Sequence, residues 1–290
     1  MVTYRHLVLP YACDRSRLPP ALAGAFVELD PDASTRAWID DAIAAPQKGG
    51  VTAMRNVAMK MVSLYDANGL VGAYSMRVLS KAQWATMLDP GLARPGILGA
   101  GLRTSQTLRG PGTPALGRLL DVGAGDGEVT AELAGFFDEV VTTELSGPMA
   151  RRLRDKGWAC HQVDLAVHTL PAQAPFDVIA LLNLLDRMSH PLALLERLPE
   201  LLAPGGRVVI AVPMPISQAV YFGPRTLDAE EMLPENTRDF ETGVSALYTE
   251  VLAPRGYLVD RLARAPYLCR GEARDPVKIL DDAIFVLRRD

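Results

Sequence analysis

The run Leu119-Leu120-Asp121-Val122-Gly123-Ala124-Gly125-Asp126-Gly127-Glu128-Val129-Thr130 holds residue types that could bind a charged nucleotide. An apolar stretch ends at Val122, three glycines follow at alternate positions, and helix formers continue through Ala131-Glu132-Leu133-Ala134. Glycine allows positive φ and a close approach of backbone to ligand. A helix start just behind the turn adds free N–H donors and a positive dipole end. The spacing is G-x-G-x-G rather than the G-x-G-x-x-G that seats a pyrophosphate. Asp121, Asp126 and Glu128 surround it with carboxylates, which would repel a pyrophosphate. They suit a ligand with an amino group, hydroxyls and positive charge, and S-adenosylmethionine has all three. Glu144 follows the next apolar run, about twenty residues on, where an acid can take a ribose hydroxyl pair. The bland alternative is a tight turn with solvated acids, which leaves acids at both strand ends unexplained.

A second constellation lies in Asn183-Leu184-Leu185-Asp186-Arg187. Asn183 and Asp186 are three apart, so one helical turn places both on one side. An amide offers an acceptor and two donors, and a carboxylate offers acceptors and a charge. Together they suit the orientation of a nitrogen nucleophile beside a methyl donor. The alternative has Asn183 capping a turn and Asp186 paired with Arg187 at the surface. Asp164 ends another strand, where it would accept from an adenine amino group or cap a helix before Leu165. Tyr267, in Tyr267-Leu268-Cys269, would line a substrate pocket or serve as an ordinary sheet aromatic. Cys269 reads as a small apolar residue, and His190, before Pro191, as a helix start.

Stepping along the chain, regular alternation of strand and helix begins at Leu116. Strands are expected over 118–122, 139–143, 159–163, 176–182 and 207–212, with helices at 148–156 and from Pro191 to a stop at Pro204-Gly205-Gly206. The continuous apolar run 176–182 suits a strand buried on both faces. Such units imply an open parallel sheet covered by helices. Ligands bind beyond the carboxyl ends of its strands, where Asp121, Glu144, Asp164 and Asn183 all fall. Two late runs, 257–267 and 282–287, joined by a polar loop over 270–278, form its antiparallel end. Ahead of the sheet, residues 1–45 are irregular apart from a short helix at 35–43. A helix is expected over 52–68, its stripe of Met54, Val57, Met61 and Tyr65 read as core, with Asn68-Gly69 as its stop. Ser80 would cap another helix through Leu88. The Gly- and Pro-rich stretch 89–117 reads as a linker, and 213–240 as an irregular insertion.

The 290 residues suit one large domain with an extension, and 49% hydrophobic residues allow a sizeable core. A net charge of −4 with scattered Lys and Arg lacks the basic face of a nucleic-acid binder. Three separated cysteines and no H-x-H or H-E-x-x-H pair point to neither a disulfide framework nor a metal. No apolar N-terminal leader or eighteen-residue apolar stretch is seen, so no membrane partner and a cytoplasmic location are expected.

The turn around Asp121, with Thr143-Glu144-Leu145-Ser146, the run 183–187, Pro266-Tyr267-Leu268-Cys269 and Leu280-Asp281-Asp282-Ala283-Ile284-Phe285-Val286-Leu287, resembles the DREV family, the methyltransferase-like nine group. The likeness covers residues 50–288; Arg270 stands where the family pattern has an acid. The resemblance implies an α/β, class I Rossmann-like S-adenosylmethionine methyltransferase. Its central sheet would be mostly parallel and seven-stranded, with helices on both faces. An N-terminal helical extension over 1–115 would pack on a catalytic domain over 116–290. The implied activity is methyl transfer to the N-pros (π) nitrogen of histidine in H-x-H tracts of a protein or peptide, by a monomer. Asp121, Gly123, Ala124, Gly125, Glu144, Leu145, Asp164 and Asn183 would hold the cofactor, and Asn183, Asp186 and Tyr267 the histidine. A small-molecule methyltransferase and a binding module without turnover are the rival readings.

Overall fold

The computed structural model describes residues 2–72, 75–88, 116–171, 174–235 and 237–289. The linker expected over 89–117 lies almost wholly outside them. Among the described residues the strands are β1 (Val2–Tyr4), β2 (Leu7–Leu9), β3 (Met76–Arg77), β4 (Arg118–Val122), β5 (Glu139–Thr143), β6 (Ala159–His161), β7 (Phe176–Leu182), β8 (Leu202–Pro213), β9 (Val220–Phe222), β10 (Arg225–Leu227), β11 (Tyr257–Glu272) and β12 (Asp275–Arg289). The helices are α1 (Pro20–Ala25), α2 (Ala33–Ala44), α3 (Gly49–Ala58), α4 (Leu64–Val71), α5 (Lys81–Leu88), α6 (Glu128–Ala134), α7 (Gly147–Asp155), α8 (Pro191–Leu201) and α9 (Phe240–Ala246).

One sheet dominates, in the order β3-β11-β12-β8-β7-β4-β5-β6. The run β8-β7-β4-β5-β6 is parallel, while β12, β11 and β3 pair antiparallel at the other side. This is the Rossmann-like α/β architecture, with seven principal strands and an eighth, β3, supplied by the N-terminal region. Its parallel strands are apolar on both faces, as helices on each side require. One face buries Leu22, Leu194, Leu198, Phe240 and Val244 of α1, α8 and α9 against Val208, Ile210, Phe285 and Leu287. The other buries Ile39, Trp84, Met87 and Leu133 of α2, α5 and α6 against Val178, Val209, Ala263 and Ile284. Leu9, Tyr11 and Leu29 join that second core, and the Val27 amide donates to the Leu262 carbonyl at 2.7 Å.

Several local expectations change. Residues 1–45 are more ordered than the prolines imply: Pro20 starts α1, and Asp32 caps α2 through the Thr35 amide. The helix expected over 52–68 is two helices, because Ser63 caps a new start at Leu64. Its supposed core stripe is outside: Met54, Val57 and Met61 are exposed, Met61 by 77%. Periodicity reports that one face is apolar, not that something covers it. The insertion carries the hairpin β9–β10. The late strands are longer than expected, meeting across Ala273-Arg274 in place of the polar loop expected over 270–278. Alternation inside a sheet hides polar residues at edges and bulges, so the charged positions of 270–272 and 275–278 remain strand.

Candidate active site

The cofactor edge is built at the ends of β4 and β5. Gly123, Gly125 and Gly127 have φ of 69°, 59° and 80°, conformations that L side chains rarely adopt. A Cβ on Gly123 would come within 2.6 Å of Leu184 Cδ1, so this glycine lets the 183–187 segment lie against the turn. A Cβ on Gly125 would meet nothing within 4 Å, so the turn faces open space there. Asp121 is buried beneath it. Its Oδ2 accepts from Thr130 Oγ1 at 2.6 Å, while Oδ1 has no partner. Burial pushes its pKa up to about 7, Thr130 opposes the rise, and the charge of Glu144 adds to it. Glu144 accepts from the Gly125 amide and the Ser146 amide, each at 2.8 Å. Burial raises its pKa too, against those two bonds. The Ala124 amide donates to the Thr143 carbonyl, completing the tie between turn and strand. Leu145 is 63% exposed, an apolar side chain displayed directly after the acid. Asp164 Oδ1 accepts from the Ala166 amide at 2.9 Å, so one of its oxygens serves as a local cap.

The N-terminal region reaches this edge, which was not foreseen. Ser63 Oγ and Ser146 Oγ both donate to Asp66, at 2.8 and 2.7 Å. The Met76 amide donates to Glu128 Oε2. The pattern S-x-x-D at 63–66 is a visible capping signal, but its second role toward Ser146 is not.

The acceptor side forms where β7 runs out. Asn183 takes φ of 57°, and its amide N–H still donates to the Ala211 carbonyl of β8 at 2.8 Å. The chain then turns through a short 3-10 helix, Leu185–Arg187. Asn183 and Asp186 are both buried, at 8% and 7% exposure, rather than at the surface. Asp186 does face Arg187, with Nε 3.4 Å from Oδ2, but its Oδ1 has no partner. Both amide atoms of Asn183 are likewise without a closed hydrogen bond. Tyr267 is buried in the same place, with the Arg187 guanidinium 5.9 Å from its ring centre and its hydroxyl donating to Met76 Sδ at 2.6 Å. Burial raises Asp186 and Tyr267 above their ordinary values. Burial works against the Arg187 cation, yet Tyr267, Asp186, Tyr65 and Asp282 hold its pKa above the usual value.

Tyr65 of α4 and Tyr221 of β9 cross edge to face, ring centres 5.5 Å apart. The Ala219 amide donates to the Asp186 carbonyl at 2.9 Å. Thus the insertion and the N-terminal helices both close on the 183–187 segment. Residues that sequence reasoning missed here are Arg187, Tyr65, Met76 and Asp282. Only Asp282 left a signal, an acid at the head of an apolar run. The four histidines stand outside this cluster, and His190 is the residue before α8.

A Rossmann-like sheet, an acid-flanked glycine turn and a buried polar loop at the carboxyl ends of its strands define a methyltransferase. The profile of the DREV methyltransferase family matches residues 10–289, and the chain belongs to that family. Its cofactor is S-adenosylmethionine. The orphaned Asp121 oxygen and the open side of Gly125 fit that molecule's donors and bulk. The ubiquinone biosynthesis O-methyltransferase of Xylella fastidiosa (strain 9a5c) is 34% identical over 100 residues, 32% of this chain and 41% of that protein. The chain therefore matches less than half the length of this curated relative. Similar solved structures include the DhpI–SAH complex, with 16% identity, 82% of this chain and 98% of that one, and a TM-score of 0.44. The N-methyltransferase NodS from Bradyrhizobium japonicum WM9, with S-adenosyl-L-homocysteine, shows 16% identity, 60% and 79% coverage and a TM-score of 0.38. Among the described residues no helix is long and apolar enough to cross a membrane.

Proposed function

We propose that this methyltransferase acts on the N-pros nitrogen of histidine in H-x-H stretches of a protein or peptide. The observation that carries the reading is Asp186. It is a buried carboxylate with one oxygen turned to Arg187 and the other unpartnered, beside Asn183 and Tyr267 at the end of β7. A buried acceptor without a donor is costly, and a ligand that brings an N–H removes the cost. Neutral imidazole is such a ligand, with one N–H and one free lone pair.

Bound S-adenosylmethionine supplies a methyl group on a sulfonium. Imidazole is largely neutral near pH 7, because its pKa is about 6.5, and needs little activation. The protein has to choose the nitrogen and align it. Asp186 Oδ1 accepting the N-tele hydrogen leaves the N-pros lone pair free toward the methyl group. The same carboxylate steadies the positive charge that the ring acquires as the new N–C bond forms. Asn183 and Tyr267 hold the ring in place, and the tyrosine pair Tyr65–Tyr221 limits water at the mouth. Alignment of this kind supplies much of the rate in a displacement between two bound partners. Asp121 and Glu144 would hold the amino group and ribose, with Leu145 against the adenine. The 1–115 region, through Asp66 and Met76, completes both sides of the crevice.

The test is incubation with S-adenosylmethionine and a peptide containing Ala-His-Ala-His, followed by mass and positional analysis of the ring. One added methyl on N-pros supports the reading. No transfer to the peptide, with cofactor binding intact by calorimetry, overturns it in favour of a small-molecule acceptor.

A further inference from the structure

Asp282 is left unused by the chemistry above, and its surroundings set it apart. It stands beside Asp281 on β12, but the two point to opposite faces. Asp281 is held by Arg264, whose Nε lies 2.9 Å from one carboxylate oxygen and 3.2 Å from the other. Asp282 is fully buried, and neither of its oxygens has a hydrogen-bond partner. The register sets Asp282 opposite Ala265 and Leu280 opposite Tyr267, so Asp282 and Tyr267 are diagonal neighbours on one face. The left-handed turn at Asn183 brings a second unpartnered group there. Asn183 follows Leu182, which pairs with Ala211 of β8, and Pro213 of β8 pairs in turn with Asp282, so the end of β7 and Asp282 lie across the single strand β8 from each other. The amide favours the anionic forms of Tyr267 and Asp282 without closing a hydrogen bond to either. Asp186, Arg187, Cys269 and Asp281 are the other titratable groups that act on this pair. Arg187 is already turned to Asp186.

A buried carboxyl and a buried amide side by side, both unpaired, invite a single explanation. An amide has donors on one end and an acceptor on the other, and the two orientations of an asparagine have nearly the same shape. A neighbouring carboxylate distinguishes them, because it can take only the N–H end. We propose that Asp282 is a positioning residue, taking an Nδ2–H of Asn183 and so fixing that amide with Oδ1 toward the ligand side of the crevice. This rests on the reading of Asn183 as an acceptor-site residue. With Oδ1 so presented, Asn183 accepts from a backbone N–H of the incoming peptide, while Asp186 keeps the single N–H of the ring. Reversal of the amide would offer two donors where the ligand brings donors of its own. Asp282 therefore acts through Asn183 and needs no contact with the acceptor.

The test compares the wild type with Asp282→Asn, which keeps size and shape and removes the charge. The side-chain amide signals of Asn183, assigned by their loss in Asn183→Asp, are followed by NMR without acceptor. In Asp282→Asn those protons are expected to shift and to lose protection from exchange. The kcat for the Ala-His-Ala-His peptide should fall roughly ten- to hundredfold, as a misaligned reacting group does, with cofactor affinity unchanged. Unchanged amide signals and unchanged kcat, with only a lower melting temperature, would overturn the proposal and leave Asp282 a packing residue. If Asp282→Asn does not fold, a pH titration of the wild type decides. The Asn183 signals must follow the ionisation of Asp282, and indifference to it overturns the proposal. Since the NMR readout needs no acceptor, absence of histidine methylation by the wild type counts against the functional reading alone.

Discussion

The two sides of the crevice manage their buried carboxylates differently. On the cofactor side, each acid accepts at least one hydrogen bond from the protein, although Asp121 Oδ1 is left open. Asp121 has the Thr130 hydroxyl, Glu144 the Gly125 and Ser146 amides, and Asp164 the Ala166 amide. On the acceptor side, Asn183, Asp186 and Asp282 keep unpartnered atoms, and the nearby guanidinium serves one of them. Pre-satisfied acids hold a turn in shape before any ligand arrives. Orphaned ones are a cost carried by the free protein, recovered when a ligand with matching N–H groups enters. Under the proposed function the contrast says where specificity would lie: a rigid turn for a constant cofactor, and a set of open polar atoms for the acceptor to complete.

The largest expected effect separates the two sides. Asp186→Ala removes a contact that steadies charge developing in the transition state. Transfer should fall by about two to three orders of magnitude, the scale for loss of one such group, with cofactor affinity retained. Glu144→Ala should do the reverse. It frees the Gly125 and Ser146 amides and removes a charged acceptor, whose hydrogen bonds are worth about 1.5–3 kcal/mol, so cofactor affinity drops roughly ten- to hundredfold. Calorimetry with the cofactor and a methyl-transfer assay on each variant check both. Loss of cofactor binding in Asp186→Ala, or its retention in Glu144→Ala, would erase the division.

A smaller effect appears with pH. Asp121 has a folded-state pKa of about 7, against about 3.9 for an ordinary aspartate, because it is buried. Between those values the folded carboxyl holds a proton that the unfolded chain has released. Stability of the cofactor-free protein should therefore decline as pH rises from about 4 to about 7 and level off above. A bound cation favours the carboxylate, so cofactor affinity should rise over the same window. Burial raises Asp186 and Asp282 in the same direction. The difference between wild type and Asp121→Asn isolates the first residue. Denaturant melts and calorimetry at several pH values measure it, and identical slopes in the two proteins would remove Asp121 from the account.

The same contrast explains what was legible in the sequence. The proposed cofactor edge is local: strand, three glycines and a helix start lie within a dozen residues, and spacing alone reveals them. Glu144 is one βα unit away and falls at a strand end for the same reason. The proposed acceptor site draws on Tyr65, Met76, residues 183–187, Tyr221, Tyr267 and Asp282, and no local period joins them. Asn183 and Asp186 were legible only because they sit at the end of a strand already recognised as central. Arg187 entered only in the alternative reading, as a surface partner of Asp186, because burial of a loop is a tertiary property. Met54, Val57 and Met61 failed the opposite way, since a helical stripe gives a face and not its cover. The Gly- and Pro-rich 89–115 stretch, read as part of a linker, lies outside the described residues.

The smallest expected effect is a control on a neighbour. Asp281 and Asp282 are adjacent, equally acidic and on the same strand, so sequence cannot rank them. The strand separates them. Alternation turns Asp281 away from Tyr267, and Arg264 holds it with three contacts while also donating to the Ala12 carbonyl at 2.8 Å. Asp281→Asn weakens a charge-assisted contact between half-buried groups, and the expected loss is about 1 kcal/mol of stability, seen as a small shift in the denaturant midpoint. Methyl transfer and the Asn183 amide signals should not move. If Asp281→Asn slows transfer as much as Asp282→Asn does, the effect of Asp282 is general to acids at this end of β12. If only Asp282→Asn slows it, one step along a strand divides an acid that fastens the N-terminal segment from one that orients the acceptor site.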